Sequence, residues 1–203
     1  MQKAVPFAGQ QRADHLLIAE MVTPGSRVLD VGCGDGALLK LLAETKGVDG
    51  RGVELSREKV NLCVKSGLSV IQGDADRDLA DYPDQAFDFA ILSLTIQATR
   101  EPKTVLENLL RIGRHAIVSF PNFGHWRVRL AHLTSGRAPR TPLFPHNWYE
   151  SPNIHFLTVL DFEEFIREQG WVTERRLFLA GHRQIARLPN LLAEIAVYLI
   201  RRP

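Results

Sequence analysis

The amino-acid sequence predicts an α/β fold, doubly wound around a mostly parallel seven-stranded sheet, with an irregular insert after the fifth strand. Three observations lead there. Short β-branched and apolar runs alternate with stretches of helical periodicity through the first 120 residues, the pattern of successive βαβ units. Three glycines, Gly32, Gly34 and Gly36, stand where one of these apolar runs meets a helical stretch. The rhythm then stops at Pro121 and returns only beyond residue 157.

The elements follow in chain order. An amphipathic segment at 14–22, DHLLIAEMV, ends at the turn sequence TPGS. Strands are expected at 27–31 (RVLDV), 50–55 (GRGVEL), 68–73 (LSVIQG), 87–93 (FDFAILS) and 115–120 (HAIVSF). Between them, ALLKLLAET follows the glycines, SREKVNLCVKS starts at Ser56 as N-cap, and EPKTVLENLLRI carries Pro102 near its first turn. Residues 121–157 hold Pro121, Pro139, Pro142, Pro145 and Pro152, five of the chain's eleven prolines, which predicts an irregular insert or lid. The helix LDFEEFIREQG is then bounded by Asp161 at its start and Gly170 at its end, and strands at VTERRLFLA and LLAEIAVYLI complete the sheet.

With 203 residues, 45 % of them hydrophobic and 24 % charged, a single domain spanning 1–203 is expected. Its apolar runs are too short to span a bilayer and its first residues lack the apolar core of a secretory signal, so the expectation is a cytoplasmic protein with no membrane partner. Cys33 and Cys63 have neither CxxC spacing nor neighbouring histidines, which predicts small buried hydrophobes and no metal site. A net charge of +2 carries no signature of nucleic acid, and no nucleic-acid partner is expected. The charge is nevertheless uneven. From Asn108 to Tyr149 there is no Asp or Glu, while Arg111, Arg114, Arg127, Arg129, Arg137 and Arg140 lie there with His115, His125, His132 and His146. Arginine is the cation suited to bidentate contact with carboxylate or phosphate.

Glycine weakens a strand end, so three in five residues imply a close approach of something to the backbone or a backbone turning through positive φ. In a doubly wound sheet that turn holds the ligand, and the helix opening at Ala37 would offer it free N–H groups. Glu54, 24 residues after Asp30, stands where both hydroxyls of a ribose can be met. The string GCGDGA also satisfies a dinucleotide pattern, so the glycines alone leave NAD open. The acids separate the two ligands. Asp30, Glu54 and Asp74, at the ends of three successive expected strands, would repel a pyrophosphate but suit the ammonium group, ribose and adenine amine of S-adenosylmethionine.

The segments LDVGCGDG, GVEL, QGDA and FDFAILS resemble the successive motifs of class I S-adenosylmethionine-dependent methyltransferases, a Rossmann-like fold. The later blocks SFPNFGHW and WYESPNIH are similar to the MetW family of methionine biosynthesis, with the likeness extending over most of the chain. The resemblance implies a site for S-adenosylmethionine or S-adenosylhomocysteine built from Asp30, Gly32, Gly34, Gly36, Glu54, Asp74, Ala75 and Ser93. It also implies work with a homoserine O-acyltransferase, and leaves the methyl acceptor open.

Methyl transfer from a sulfonium is an in-line displacement that asks mainly for alignment. The fourth strand ends in SLTIQ, without an Asp/Asn-Pro-Pro-aromatic string for a planar amine, and no catalytic base is identifiable. Ser93, Thr95 and Gln97 are placed to line the methyl position. Gln97, Asn122, His125, Trp126, Arg127, Arg129 and His155 are candidates for an acceptor site or a partner surface. Two readings follow: an S-adenosylmethionine-binding protein that docks on a homoserine O-acyltransferase, or an independent small-molecule methyltransferase whose acceptor enters under the insert.

Overall fold

In a computed structural model that describes residues 12–203, RVLDV forms the central strand β1 (Arg27–Val31). Val28 to Val31 are all buried, as a strand covered on both faces requires. β2 (Asp49–Glu54) and then β3 (Ser69–Gln72) lie on one side of it; β4 (Phe87–Ser93) and β5 (Gly113–Pro121) lie on the other, and all five run parallel. The far flank is antiparallel. β6 (Val172–Ala180) is separated from β5 by β8 (Ile195–Arg201), and β7 (Arg183–Gln184) pairs outside β6. The sheet thus has eight strands where seven are expected; the extra one is a two-residue return after Gly181, too short to show any alternation.

Helices cover both faces. α1 (Ala13–Met21) and α2 (Ala37–Lys46) pack on one side, where Ile18, Val28, Leu42, Ile91 and Val197 meet. α3 (Arg57–Lys65) covers β2 and β3, with Cys33, Leu39, Cys63 and Val70 beneath it, so both cysteines are buried as expected. α4 (Pro102–Ile112) sends Val105, Leu106, Leu109, Leu110 and Ile112 into the opposite face, a spacing that puts all five on one helical side. α6 (Val159–Glu168) joins it there through Phe162, whose ring lies 4.8 Å from Phe120 and 5.0 Å from Tyr198.

Local chemistry corrects the expected boundaries. Ser56 caps α3 as expected, accepting from Lys59 N. Asp161, by contrast, is the third helical residue of α6: Thr158 is the cap, and the two side chains form a reciprocal capping box. The last strand begins at Ile195, because Pro189 opens the single turn α7 (Pro189–Leu192) ahead of it. The insert is only partly irregular, since it opens with α5 (Trp126–Ser135), held by His125 as N-cap and ended by Gly136 at φ 62°. Only Val128 of α5 is buried, and Trp126, Leu130 and Leu133 lie on the side opposite it, so apolar residues on both sides give the sequence no single core-facing stripe.

Candidate functional site

Strand order reverses direction between β1 and β4, so the loops leaving their carboxyl ends diverge and open a crevice. The glycine turn forms one wall. A side chain at Gly32, where φ is +73°, would place its Cβ 2.7 Å from Thr95 Oγ1, so the loop after β4 closes directly onto the backbone there. Gly34, at φ +60°, has nothing among the described residues within 4 Å of the position its Cβ would take.

Two carboxylates sit against this turn. Glu54 is 7 % exposed; its Oε2 accepts from Gly34 N at 2.8 Å and its Oε1 from Ser56 N at 2.9 Å. Both oxygens keep lone pairs for a further donor. Asp30 is 1 % exposed and its Oδ1 has no hydrogen-bond partner among the described residues. Burial lifts the Asp30 carboxyl to about 7, with the Arg12 charge pulling it down and the Glu54 charge pushing it up.

The helix end differs from expectation. Ala37 N donates to Asp35 Oδ1 at 3.1 Å and Gly36 N to Cys33 O at 3.0 Å, so an acidic side chain already occupies the start of α2. Asp74, after β3, accepts from Asp76 N through Oδ1 and lies 3.9 Å from Arg77; Ala75 packs against the core. Asp76, not singled out in the sequence, accepts from Arg100 N and Glu101 N at 3.0 Å and so ties this loop to the start of α4.

Sequence reasoning missed the contribution of α1. Arg12 Nε and Nη2 reach Asp14 at 3.1 and 2.5 Å, and Nη2 also donates to Ser93 Oγ at 3.1 Å. Asp14 is 2 % exposed and also accepts from Ser93 Oγ, which in turn accepts from Ser119 Oγ at 3.3 Å. Arg12 thus stands at the carboxyl end of β4, near enough to Asp30 to oppose its burial. His15 is buried beside them, and burial followed by the Arg12 charge pushes it down to about 4, so it is neutral at pH 7. Asp14 and His15, standing at the head of the amphipathic segment DHLLIAEMV, were the available signal.

The other candidates divide. Gln97 is buried; its Nε2 donates to Leu94 O, and its backbone carbonyl accepts from Ile154 N at 2.9 Å and His155 N at 3.0 Å. Gln97 Oε1 and His155 Nε2 are both buried without partners among the described residues, at this seam between the insert and the loop after β4. Asn122 is 0 % exposed and therefore belongs to neither an acceptor site nor a partner surface: its Nδ2 donates to Ala193 O and Asn190 O, and its Oδ1 accepts from Gly124 N and Val159 N. His125 is spent as the cap of α5, and burial holds its imidazole below the ordinary range. Arg129 Nε donates inward to Gly124 O at 2.6 Å. Arg127 lies over the Trp126 ring at 5.3 Å and 3.5 Å from Glu194. His125, Trp126 and Arg127 line a cleft of about 510 Å³ reaching Ala180 and Ile185.

The family model described as methionine biosynthesis protein MetW matches residues 12–200. A bifunctional methionine biosynthesis protein MetXA/MetW of Rhodopirellula baltica is 34 % identical over 98 % of this chain. The chain spans 34 % of that relative's length. Among solved structures, an S-adenosylmethionine-dependent methyltransferase of Mesorhizobium loti superposes at a TM-score of 0.70 with 17 % identity, covering 94 % of this chain and 98 % of its own. The [4+2]-cyclase SpnF superposes at 0.68 with 19 % identity over 100 % of this chain and 86 % of its own. These likenesses establish a methyltransferase-type fold.

Proposed function

Since this chain belongs to the methionine biosynthesis protein MetW family, we propose that it binds S-adenosylmethionine or S-adenosylhomocysteine in the crevice between β1 and β4 and works with a homoserine O-acyltransferase. The observation that carries the ligand is the buried Asp30 Oδ1, without a partner among the described residues, near the Arg12 guanidinium. An unpaired carboxylate in a dry site is costly, and a cation that enters and pairs with it relieves that cost. The amino-acid end of S-adenosylmethionine carries such a cation together with a carboxylate for an arginine.

The remaining groups fit the rest of the molecule. Glu54, oriented by Gly34 N and Ser56 N, accepts ribose hydroxyls, and the open face of Gly34 leaves room for the sugar. Asp74, at the next strand end, accepts from the adenine amine, with Ala75 beside it. A pyrophosphate is a poor fit, because the Asp35 carboxylate already lies on the α2 terminus and Asp30 and Glu54 add further negative charge at the ends of β1 and β2. When bound, S-adenosylmethionine supplies a methyl group on a positively charged sulfur; the fold alone does not commit the protein to transferring it.

The partner reading is supported by the Rhodopirellula baltica relative, whose name joins MetXA and MetW in one chain. A second reading, an independent methyltransferase, is favoured by Gln97 Oε1 and His155 Nε2, two unsatisfied polar atoms where an acceptor would lie. Calorimetry with S-adenosylmethionine, S-adenosylhomocysteine and NAD, each with and without a purified homoserine O-acyltransferase, separates the cases. Adenosyl-ligand binding that shifts when the acyltransferase is present supports the first reading, since coupling is reciprocal. Binding indifferent to it, with release of S-adenosylhomocysteine in the presence of an acceptor, supports the second. NAD binding alone overturns both.

A further inference from the structure

Helix α5 is lightly packed against the rest of the fold. Of its ten residues only Val128 is buried, while Trp126 is 42 %, Leu130 48 % and Leu133 84 % exposed. Positions 126, 130 and 133 recur at i, i+4 and i+7, so they form one stripe, on the side of the helix opposite Val128. The fold secures the segment from the other side. Phe123 lies 6.2 Å from His132 of α5 and packs against Phe144 at 5.0 Å and Phe156 at 4.6 Å, an aromatic layer that anchors the insert and leaves the stripe uncovered. Farther along the insert, Trp148 and Tyr149 are 79 % and 67 % exposed, and Phe156 is 60 % exposed. Several large apolar side chains left in water within one short segment mark an interaction site rather than scattered surface residues.

Charge narrows the occupant. Between Asn108 and Tyr149 there is no acidic residue, and Arg127, Arg137 and Arg140 are exposed. A second copy of the chain meeting this face through a two-fold axis would set arginine against arginine around the apolar stripe, which disfavours self-association. The face calls for an apolar patch rimmed by carboxylates on a different protein. The relative of which this chain spans 34 % carries MetXA in the same polypeptide, so in that protein the two halves are held at high local concentration.

We infer that the α5 stripe, Trp126, Leu130 and Leu133, with the arginine rim of the insert, is the surface on which the homoserine O-acyltransferase docks. The inference rests on the partner reading proposed above and adds the place and the chemistry of the contact. It also links the two sites physically. The insert hangs from the loop after β4 by the hydrogen bonds of Ile154 N and His155 N to Gln97 O, and that same loop closes on Gly32 through Thr95.

The test measures association of the full chain with the purified homoserine O-acyltransferase of the same organism by sedimentation velocity and titration calorimetry. It compares the unaltered chain, the double variant Leu130→Glu with Leu133→Glu, and a control, Ile71→Glu. Ile71 is 58 % exposed on the edge strand β3, remote from the insert in strand order. Both leucines are solvent-facing, so the double variant is expected to fold, and circular-dichroism melting checks that it does. The expected result is a loss of at least tenfold in affinity for the leucine variant, unchanged affinity for Ile71→Glu, and a salt dependence that weakens in Arg137→Glu with Arg140→Glu. Equal binding by the leucine variant, or loss confined to Ile71→Glu, overturns the surface while leaving the partnership intact. No association of the unaltered chain overturns the partnership itself. Self-association that Leu133→Glu abolishes, without effect on acyltransferase binding, assigns the stripe to a second copy and overturns the inference.

Discussion

Glu54 Oε2 accepts the Gly34 N–H at 2.8 Å, so the acid at the end of β2 and the glycine turn after β1 are tied together by the protein's own backbone. Glu54→Gln keeps the size of the side chain and one acceptor while removing the charge. It is expected to weaken S-adenosylhomocysteine binding about ten- to a hundredfold, the equivalent of about 1.5 to 3 kcal/mol for charge-assisted hydrogen bonds. Glu54→Ala also strands Gly34 N and Ser56 N and should lower the melting temperature as well. Unchanged affinity in Glu54→Gln would remove Glu54 from the ribose site.

The Asp30 carboxyl gives the site a pH dependence of definite sign. Its folded value of about 7 lies above the ordinary 3.8, so the protonated acid stabilises the fold at low pH and that contribution is lost as pH rises through about 7. His15, pushed down to about 4, works the other way: its contribution grows as pH rises from about 4 toward 6.5. Ligand binding isolates Asp30, because only the ionised acid pairs with an ammonium group. Affinity for S-adenosylhomocysteine is expected to fall about tenfold between pH 8 and pH 6, with proton release on binding near neutrality. Calorimetry in buffers of different ionisation enthalpy reads that release, and a flat profile in the unaltered protein would detach Asp30 from the ammonium.

Arg12 reaches Asp14 and Ser93 from the first described residue of the chain. Arg12→Gln should cost S-adenosylhomocysteine at least tenfold in affinity and leave 5′-methylthioadenosine, which lacks the amino-acid end, nearly unaffected. Equal losses for both ligands would mean that Arg12 acts only on the fold around Asp14.

Asn122 fixes three chain segments at once through Ala193 O, Gly124 N and Val159 N. Asn122→Ala strands these buried groups and is expected to cost about 2 to 4 kcal/mol, read as a lowered urea midpoint. A stability change below about 0.5 kcal/mol would contradict its role as an internal bolt.

Much of the β/α alternation was legible because strands buried on both faces and helices buried on one leave distinct periods, as RVLDV and the α4 sequence show. The α5 helix was not, since its one buried residue, Val128, lies opposite the exposed Trp126, Leu130 and Leu133, and apolar residues on both sides mark no single core-facing stripe. The boundary at Thr158 was misplaced by three residues because Asp161 is itself part of the cap, as the third residue of a reciprocal box. At the candidate site, Asp30, Glu54 and the glycines announced themselves by type and spacing. Arg12, Asp14 and His15 did not, because their meaning depends on burial beside β4, far along the chain.

By itself, then, the sequence determined the order of elements, the glycine turn and the acids at three strand ends, all properties of residues close together in the chain. The tertiary structure alone decided which polar groups lost their water. It left Asp30 Oδ1 unpaired among the described residues, spent Asn122 and Arg129 on the framework, and turned Leu130 and Leu133 outward. Those outcomes follow from desolvation and long-range packing, which no local pattern encodes.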